Sequence, residues 1–226
     1  MLLRCENRTP LGAESEAATG AWLRPETLES LTELNDLCLA LLADQAAVGR
    51  CGAAASPLLR ETADLWGALD AAARRRAAAC PYLVLDAGFA DAARWRVLPA
   101  IEVGDAGRGA YSAFFTVPGT LEVARQVFTY AWHLARAEGA AARLLLGMPG
   151  ATAALVARCT LRQILALAEG RCGWLRPRWP SRVQVWRELL RAATAGEAPA
   201  LERARLHGLT LLAAETRRVP VSLPQA

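Results

Sequence analysis

The stretch that decides the fold is residues 129–186, TYAWHLARAEGAAARLLLGMPGATAALVARCTLRQILALAEGRCGWLRPRWPSRVQVW. Its apolar residues recur at helical spacing, and its punctuation is that of short helices. One helix ends at Leu146-Gly147-Met148, where Gly147 can take a positive φ and Pro149 forces the chain out. A short apolar helix is expected over residues 151–157. Thr160 and Gln163 have capping-box spacing, so another helix begins there. Leu161, Ile164, Leu165 and Ala168 give it one apolar face. Gly170 reads as its left-handed C-terminal residue. Ser181 and Gln184 repeat the box ahead of Val185, Leu189 and Leu190, and Pro180 blocks continuation from upstream. Gly196 and Pro199 lead to a last helix. No catalytic constellation appears in this helical module.

Upstream, residues 1–24 are polar and weakly patterned, as in a loose arm. Residues 25–47 form a long helix with Leu28, Leu31, Leu34, Cys38, Leu41 and Leu42 on one face. Ser56-Pro57 opens a second helix, carrying Leu58, Leu65, Trp66 and Leu69, that must stop before Pro81. Tyr82-Leu83-Val84-Leu85 is a short apolar run. Residues 97–103 and 110–117, with Tyr111, Phe114 and Phe115, have strand composition. Residues 104–109 between them read as a hairpin loop. They lack the glycine spacing and the following helix start of a phosphate-binding loop. The expected fold is therefore mainly α, with a minor antiparallel β element in residues 82–117. The expected organisation is a loose arm (1–24), an N-terminal helical region with short strands (25–118), a C-terminal helical domain (119–219) and a tail (220–226).

Charge separates the two regions. Residues 1–120 hold 11 Arg against 15 acids, net −4, and residues 121–226 hold 15 Arg against 7 acids, net +8. A basic half fits a phosphate-backbone binder or a surface that docks on an acidic partner. The densest run is Arg171, Arg176, Arg178, Arg182, Arg187 and Arg191, interleaved with Trp174, Trp179 and Trp186. Arginine chelates phosphate and stacks on aromatic rings. Arg176, Arg178, Arg182 and Arg187 are thus the candidate DNA contacts, and Trp174, Trp179 and Trp186 the candidate partner contacts. The alternative is a solvated rim around three core tryptophans.

Composition excludes several chemistries. All 26 basic residues are arginine, so a Walker-A lysine, a Schiff-base lysine and a pyridoxal-phosphate site are ruled out. The six cysteines never take C-x-x-C spacing and there are only two histidines, which disfavours zinc. Neither His133 nor His207 has a sequence-adjacent nucleophile, and no hydrolase elbow or dinucleotide fingerprint occurs. Asp86 and Asp91 are better read as helix caps than as metal ligands. The chain is read as a non-enzyme without cofactor or metal. It shows no export signal and no membrane-length apolar run. It is therefore expected in the bacterial cytoplasm, with its thiols reduced.

Several short motifs share an order with a known family. They are Tyr130, Leu134 and Ala135 on a long helix, then Ala142-Arg143-Leu144 and Leu146-Gly147-Met148. Thr160-Leu161-Arg162-Gln163, Leu167-Ala168-Glu169 and His207-Gly208 follow. Over residues 121–217 the chain resembles the FlhD family, the D subunit of the bacterial flagellar master transcriptional regulator. The resemblance implies an FlhD-like helical module and a transcription-regulating activator role at flagellar or motility genes. It also implies a C-subunit (FlhC-like) partner, DNA contacted mainly through that complex, and a possible homo-oligomer. The alternative function is a non-DNA-binding adaptor that keeps the fold and uses its apolar, Trp-rich face. The family cysteine that follows leucine–alanine–glutamate falls where this chain has Leu175, so its inter-subunit disulfide is not carried over.

A faint internal echo runs through the chain. Cys80-Pro81-Tyr82-Leu83 leading to Trp95 parallels Cys172-Gly173-Trp174-Leu175 leading to Trp186. Two readings stand: a fused tandem whose halves mimic a homodimer, or chance similarity between Ala/Leu/Arg-rich segments.

Overall fold

The computed structural model describes residues 23–49, 56–96 and 113–218. Helix accounts for 75% of them, and their only sheet is a pair of two-residue strands. The fold is mainly α with a minor antiparallel β element. In chain order the elements are α1 (Pro25–Gly49), α2 (Pro57–Glu61), α3 (Ala63–Gly67), α4 (Ala71–Ala78), β1 (Leu85–Asp86), α5 (Ala92–Arg96), α6 (Thr120–Ala137), α7 (Gly139–Leu146), α8 (Gly150–Arg158), α9 (Leu161–Arg171), β2 (Arg176–Pro177), α10 (Val183–Ala195) and α11 (Ala198–Arg218). No single helix among the described residues is long and apolar enough to cross a membrane.

Local signals set most boundaries. The Thr160 hydroxyl accepts from Gln163 N–H at 3.3 Å, and the Gln163 side chain accepts from Thr160 N–H at 2.8 Å, so the capping box opens α9. Gly147 ends α7 at φ +63°. Other boundaries differ from expectation. The helix expected from 57 to 80 is broken twice. Thr62 turns its hydroxyl onto the Leu58 carbonyl (2.6 Å) and leaves helical backbone. Asp70 then opens α4 by accepting from Ala73 N–H (2.6 Å). Gly170 lies inside α9, which runs on to Arg171. Arg182, not Ser181, precedes α10, and no side chain caps that helix.

The β element is placed differently from the expected hairpin. β1 pairs antiparallel with β2, Leu85 opposite Pro177 and Asp86 opposite Arg176, across the whole C-terminal module. Residues 97–112, which include one expected strand and the loop, lie outside the described residues, as do 1–22 and 219–226. Residues 113–117 form no strand. One hydrophobic core runs from Leu31 in α1 to Leu212 in α11, with contributions from both sides of the 118/119 junction.

At its centre lies an irregular, buried segment, residues 78–84. Its backbone groups need partners that no helix supplies. Asn35, fully buried on α1, donates its amide to the carbonyls of Ala78 (3.0 Å), Cys80 (3.3 Å) and Tyr82 (2.9 Å). Its own carbonyl accepts from Val84 N–H at 2.9 Å. Leu83 N–H reaches the Leu145 carbonyl at 2.9 Å. The last helix closes over this segment because α11 has Gly208 where a Cβ would overlap the Tyr82 phenol.

Two outcomes are expected. Asn35→Leu leaves three carbonyls and one N–H unpaired in the core, and should lower the unfolding free energy by roughly 3 kcal/mol or more. A urea midpoint matching the parent protein's would refute that role. Gly147→Val meets both a left-handed backbone and the Leu212 methyl at 2.5 Å. It should cost more than about 1 kcal/mol, and an unchanged melting temperature would show ordinary backbone there.

Candidate functional site

The arginine–tryptophan segment leaves α9 through a 3-10 turn (Cys172–Trp174), pairs as β2, and enters α10. Its two-residue ladder is too short to stand alone. It is therefore the side chains that hold it. The structure gathers Asp86, Arg176, Arg178, Trp179, Arg182 and Glu215 around one open cleft of about 240 Å³. Three of the four candidate DNA-contacting arginines line that cleft, Arg187 does not, and the four have different fates.

Arg178 is not a surface residue. It is 5% exposed, and its guanidinium donates to the Leu83 carbonyl at 2.6 Å and the Leu146 carbonyl at 2.5 Å. Burial lowers its pKa from the ordinary arginine value, opposed by the carboxylates of Asp86 and Glu215. A phosphate cannot reach it without opening the core, so it is removed from the DNA-contacting set. Arg176 is exposed but is engaged by Asp86, Nη2 to Oδ2 at 3.2 Å. Arg187 is bound to Gln184 at 3.0 Å and faces the Glu61 carboxylate at 3.9 Å. Arg182 is exposed and makes no ion pair with any described residue.

The tryptophans are mostly internal as well. Trp186 is 3% exposed, donates its indole N–H to the Arg178 carbonyl at 2.7 Å, and packs against Trp66 at 5.8 Å. Trp179 is buried, donates to Glu215 at 2.8 Å and meets Tyr82 edge-on at 5.5 Å. Its φ of +50° is a rare conformation for a bulky residue. Neither is available to a partner as a surface contact, which corrects that assignment. Trp174 remains half-buried, edge-on to Trp95 at 6.0 Å, with Arg94 and Arg171 over its ring.

The segment is one of three places that seat α11. Trp179 holds Glu215, Gly147 admits Leu212, and Arg205 on α11 donates to the Arg76 carbonyl at 2.7 Å. Sequence reading missed Asn35, Tyr82 and Glu215. A helix-borne Asn among leucines was the one signal that could have found Asn35, since a buried amide needs partners.

The thiol and phenol of the buried segment, Cys80 and Tyr82, are held neutral. Burial pushes Cys80 up to about 11, against the lowering effects of Tyr82 and Arg205, and burial raises Tyr82 further. A thiol held protonated is a poor nucleophile. His207 faces Glu188 at 3.3 Å on the exposed side of α10 and α11. Among the described residues no three of His, Cys, Asp and Glu converge as metal ligands. Phe115 is a core residue with Phe114 edge-on to it at 4.9 Å, and Tyr111 lies outside the described residues.

A second, larger groove of about 770 Å³ lies between α5, α7 and the start of α8. Arg96, Arg143, Asp91, Leu144 and Met148 are among the residues that line it. No family model, curated protein or solved structure matches the chain.

Substitution separates the two kinds of arginine. Arg178→Met should cost about 2–3 kcal/mol, because two buried carbonyls lose a charged donor. Arg182→Gln should stay within about 0.5 kcal/mol. Equal denaturation midpoints for the two variants would contradict the burial-based assignment.

Proposed function

We propose that this chain is a non-enzymatic regulatory subunit that works by holding a protein partner in a transcription complex. The FlhD-like order of motifs over residues 121–217 supports the transcriptional setting, in the bacterial cytoplasm. One observation favours partner-holding over direct DNA contact. Of the four candidate arginines in the basic run, one is buried in the core and two face acids of the same chain. A phosphate-contacting array needs several free, outward guanidinium groups, since each contact contributes its own counterion release.

The groove beside α5 suits the partner reading. Its lining joins two exposed arginines, Arg96 and Arg143, with the apolar Leu144 and Met148, and Leu144 is 43% exposed. Arginine around apolar surface is the composition of protein hot spots. The partner implied is an FlhC-like subunit with acidic and apolar residues at its contact, and DNA is bound by the complex.

Gel shift on random duplex DNA tests this, at low and moderate salt, with and without the co-encoded partner. The chain alone should give no shift, and the complex should give one. Arg96→Glu with Arg143→Glu should abolish partner co-purification, while Arg176→Gln with Arg182→Gln should leave it intact. If the chain alone binds duplex, and each arginine removed flattens the salt slope by about 0.9, direct DNA contact replaces this reading.

A further inference from the structure

The sequence echo between Trp95 and Trp186 has a geometric counterpart. Five features recur at a constant spacing of 91 residues. They are the two strand positions (85 and 86 against 176 and 177), the left-handed residue that follows (Gly88, φ +73°, against Trp179, φ +50°), the first residue of the next helix (Ala92 against Val183), and the buried tryptophan on it. Both indoles donate to a backbone carbonyl upstream, Trp95 to Gly88 at 3.0 Å and Trp186 to Arg178 at 2.7 Å. Before the strands, the same spacing sets α1 against α6, α2 and α3 together against α8, and α4 against α9. α4 and α9 each have their first turn capped by a side chain three residues back, Asp70 and Thr160. α7 stands against residues 48–55, of which 50–55 lie outside the described residues.

The strand register carries the symmetry. Leu85 lies opposite Pro177 and Asp86 opposite Arg176. Exchanging positions 91 apart turns one pair into the other, so a local two-fold axis passes between them. Packing follows the same axis where the last helix of each half crosses over. α10 lies on α2, α3 and α4 of the first half, and α5 lies on α8 of the second. Trp186 meets Trp66 of the first half, while Trp95 meets Phe128 and Trp174 of the second. Each half sends its last helix into the other.

We propose that residues 25–96 and 120–195 are two copies of one unit, folded as a single-chain two-fold dimer in which each copy's last helix completes its neighbour. An isologous contact buries the same patch twice, and here one chain supplies both copies. Among the described residues, only the second copy is followed directly by a further helix, α11. Leu85, Ala87, Gly88 and Asp91 of the first stand where the second has Arg176, Arg178, Trp179 and Arg182. These residues frame the cleft that also holds Glu215 of α11, a helix with no equivalent at the end of the first copy's described residues. Of these substituted positions, Trp179 is the one bonded to α11, through Glu215. A partner meets a two-fold body in one chain, and needs no second copy of this protein to form it.

The test cuts the full chain after folding. A protease recognition sequence is inserted between Pro118 and Gly119, both exposed, and cleavage is followed by size exclusion with light scattering. The cut protein should keep the mass of the whole chain in native buffer and separate only in denaturant. Halves that part in native buffer, folded or not, would overturn the proposal. A second readout uses amide hydrogen exchange on the uncut chain carrying Trp→Phe substitutions, which retain a core aromatic. Trp186→Phe should speed exchange about tenfold or more in α3 and α4, and Trp95→Phe should do so in α6 and α8. Loss of protection confined to the half that carries the substitution would equally refute the exchange.

Discussion

A buried stretch of irregular backbone, residues 78–84, sets the constraint on which the molecule depends. Helices satisfy their own peptide groups; this segment cannot, yet it lies in the core between α4 and β1. Two side chains from distant parts of the chain supply what is missing. Asn35 takes three carbonyls and one N–H, and Arg178 takes the Leu83 carbonyl and the end of α7 at Leu146. The peptide N–H of Arg178 also bonds the Val84 carbonyl at 3.0 Å. Unpaired buried polar groups are expensive, so these contacts fix α1, α7 and β2 relative to one segment.

That arrangement explains why the halves share a core instead of standing apart. The strands are two residues long and hold little by themselves. What keeps them together is the crossing of α5 and α10, each led by a buried tryptophan. Tyr82 extends the same logic to α11. Its ring meets Trp179 on one side and the bare backbone of Gly208 on another. Glycine costs helical stability, and its place in the middle of α11 is explained by that close approach.

The basic segment shows how composition misleads about function. Arginines interleaved with tryptophans have the make-up of a nucleic-acid surface. Arg176 and Arg182 remain outside while Arg178, Trp179 and Trp186 go in. The function proposed above is partner binding, at surface that the sequence did not single out.

Local chemistry was legible in the sequence. The capping box at Thr160 and Gln163, the left-handed Gly147, the long first helix and the mainly helical fold all follow from interactions within a few residues. Proximity in the chain is what makes such signals readable. Tertiary structure alone decided the partners of β1, the burial of Arg178, the role of Asn35 and the seat of α11. Each of these joins residues 32 or more positions apart, and a charge or amide carries no mark in sequence of whether its partner is water or a distant carbonyl. The repeat lay between the two. Its tryptophans could be seen in the sequence, but the exchange between the halves required the register of Leu85 against Pro177.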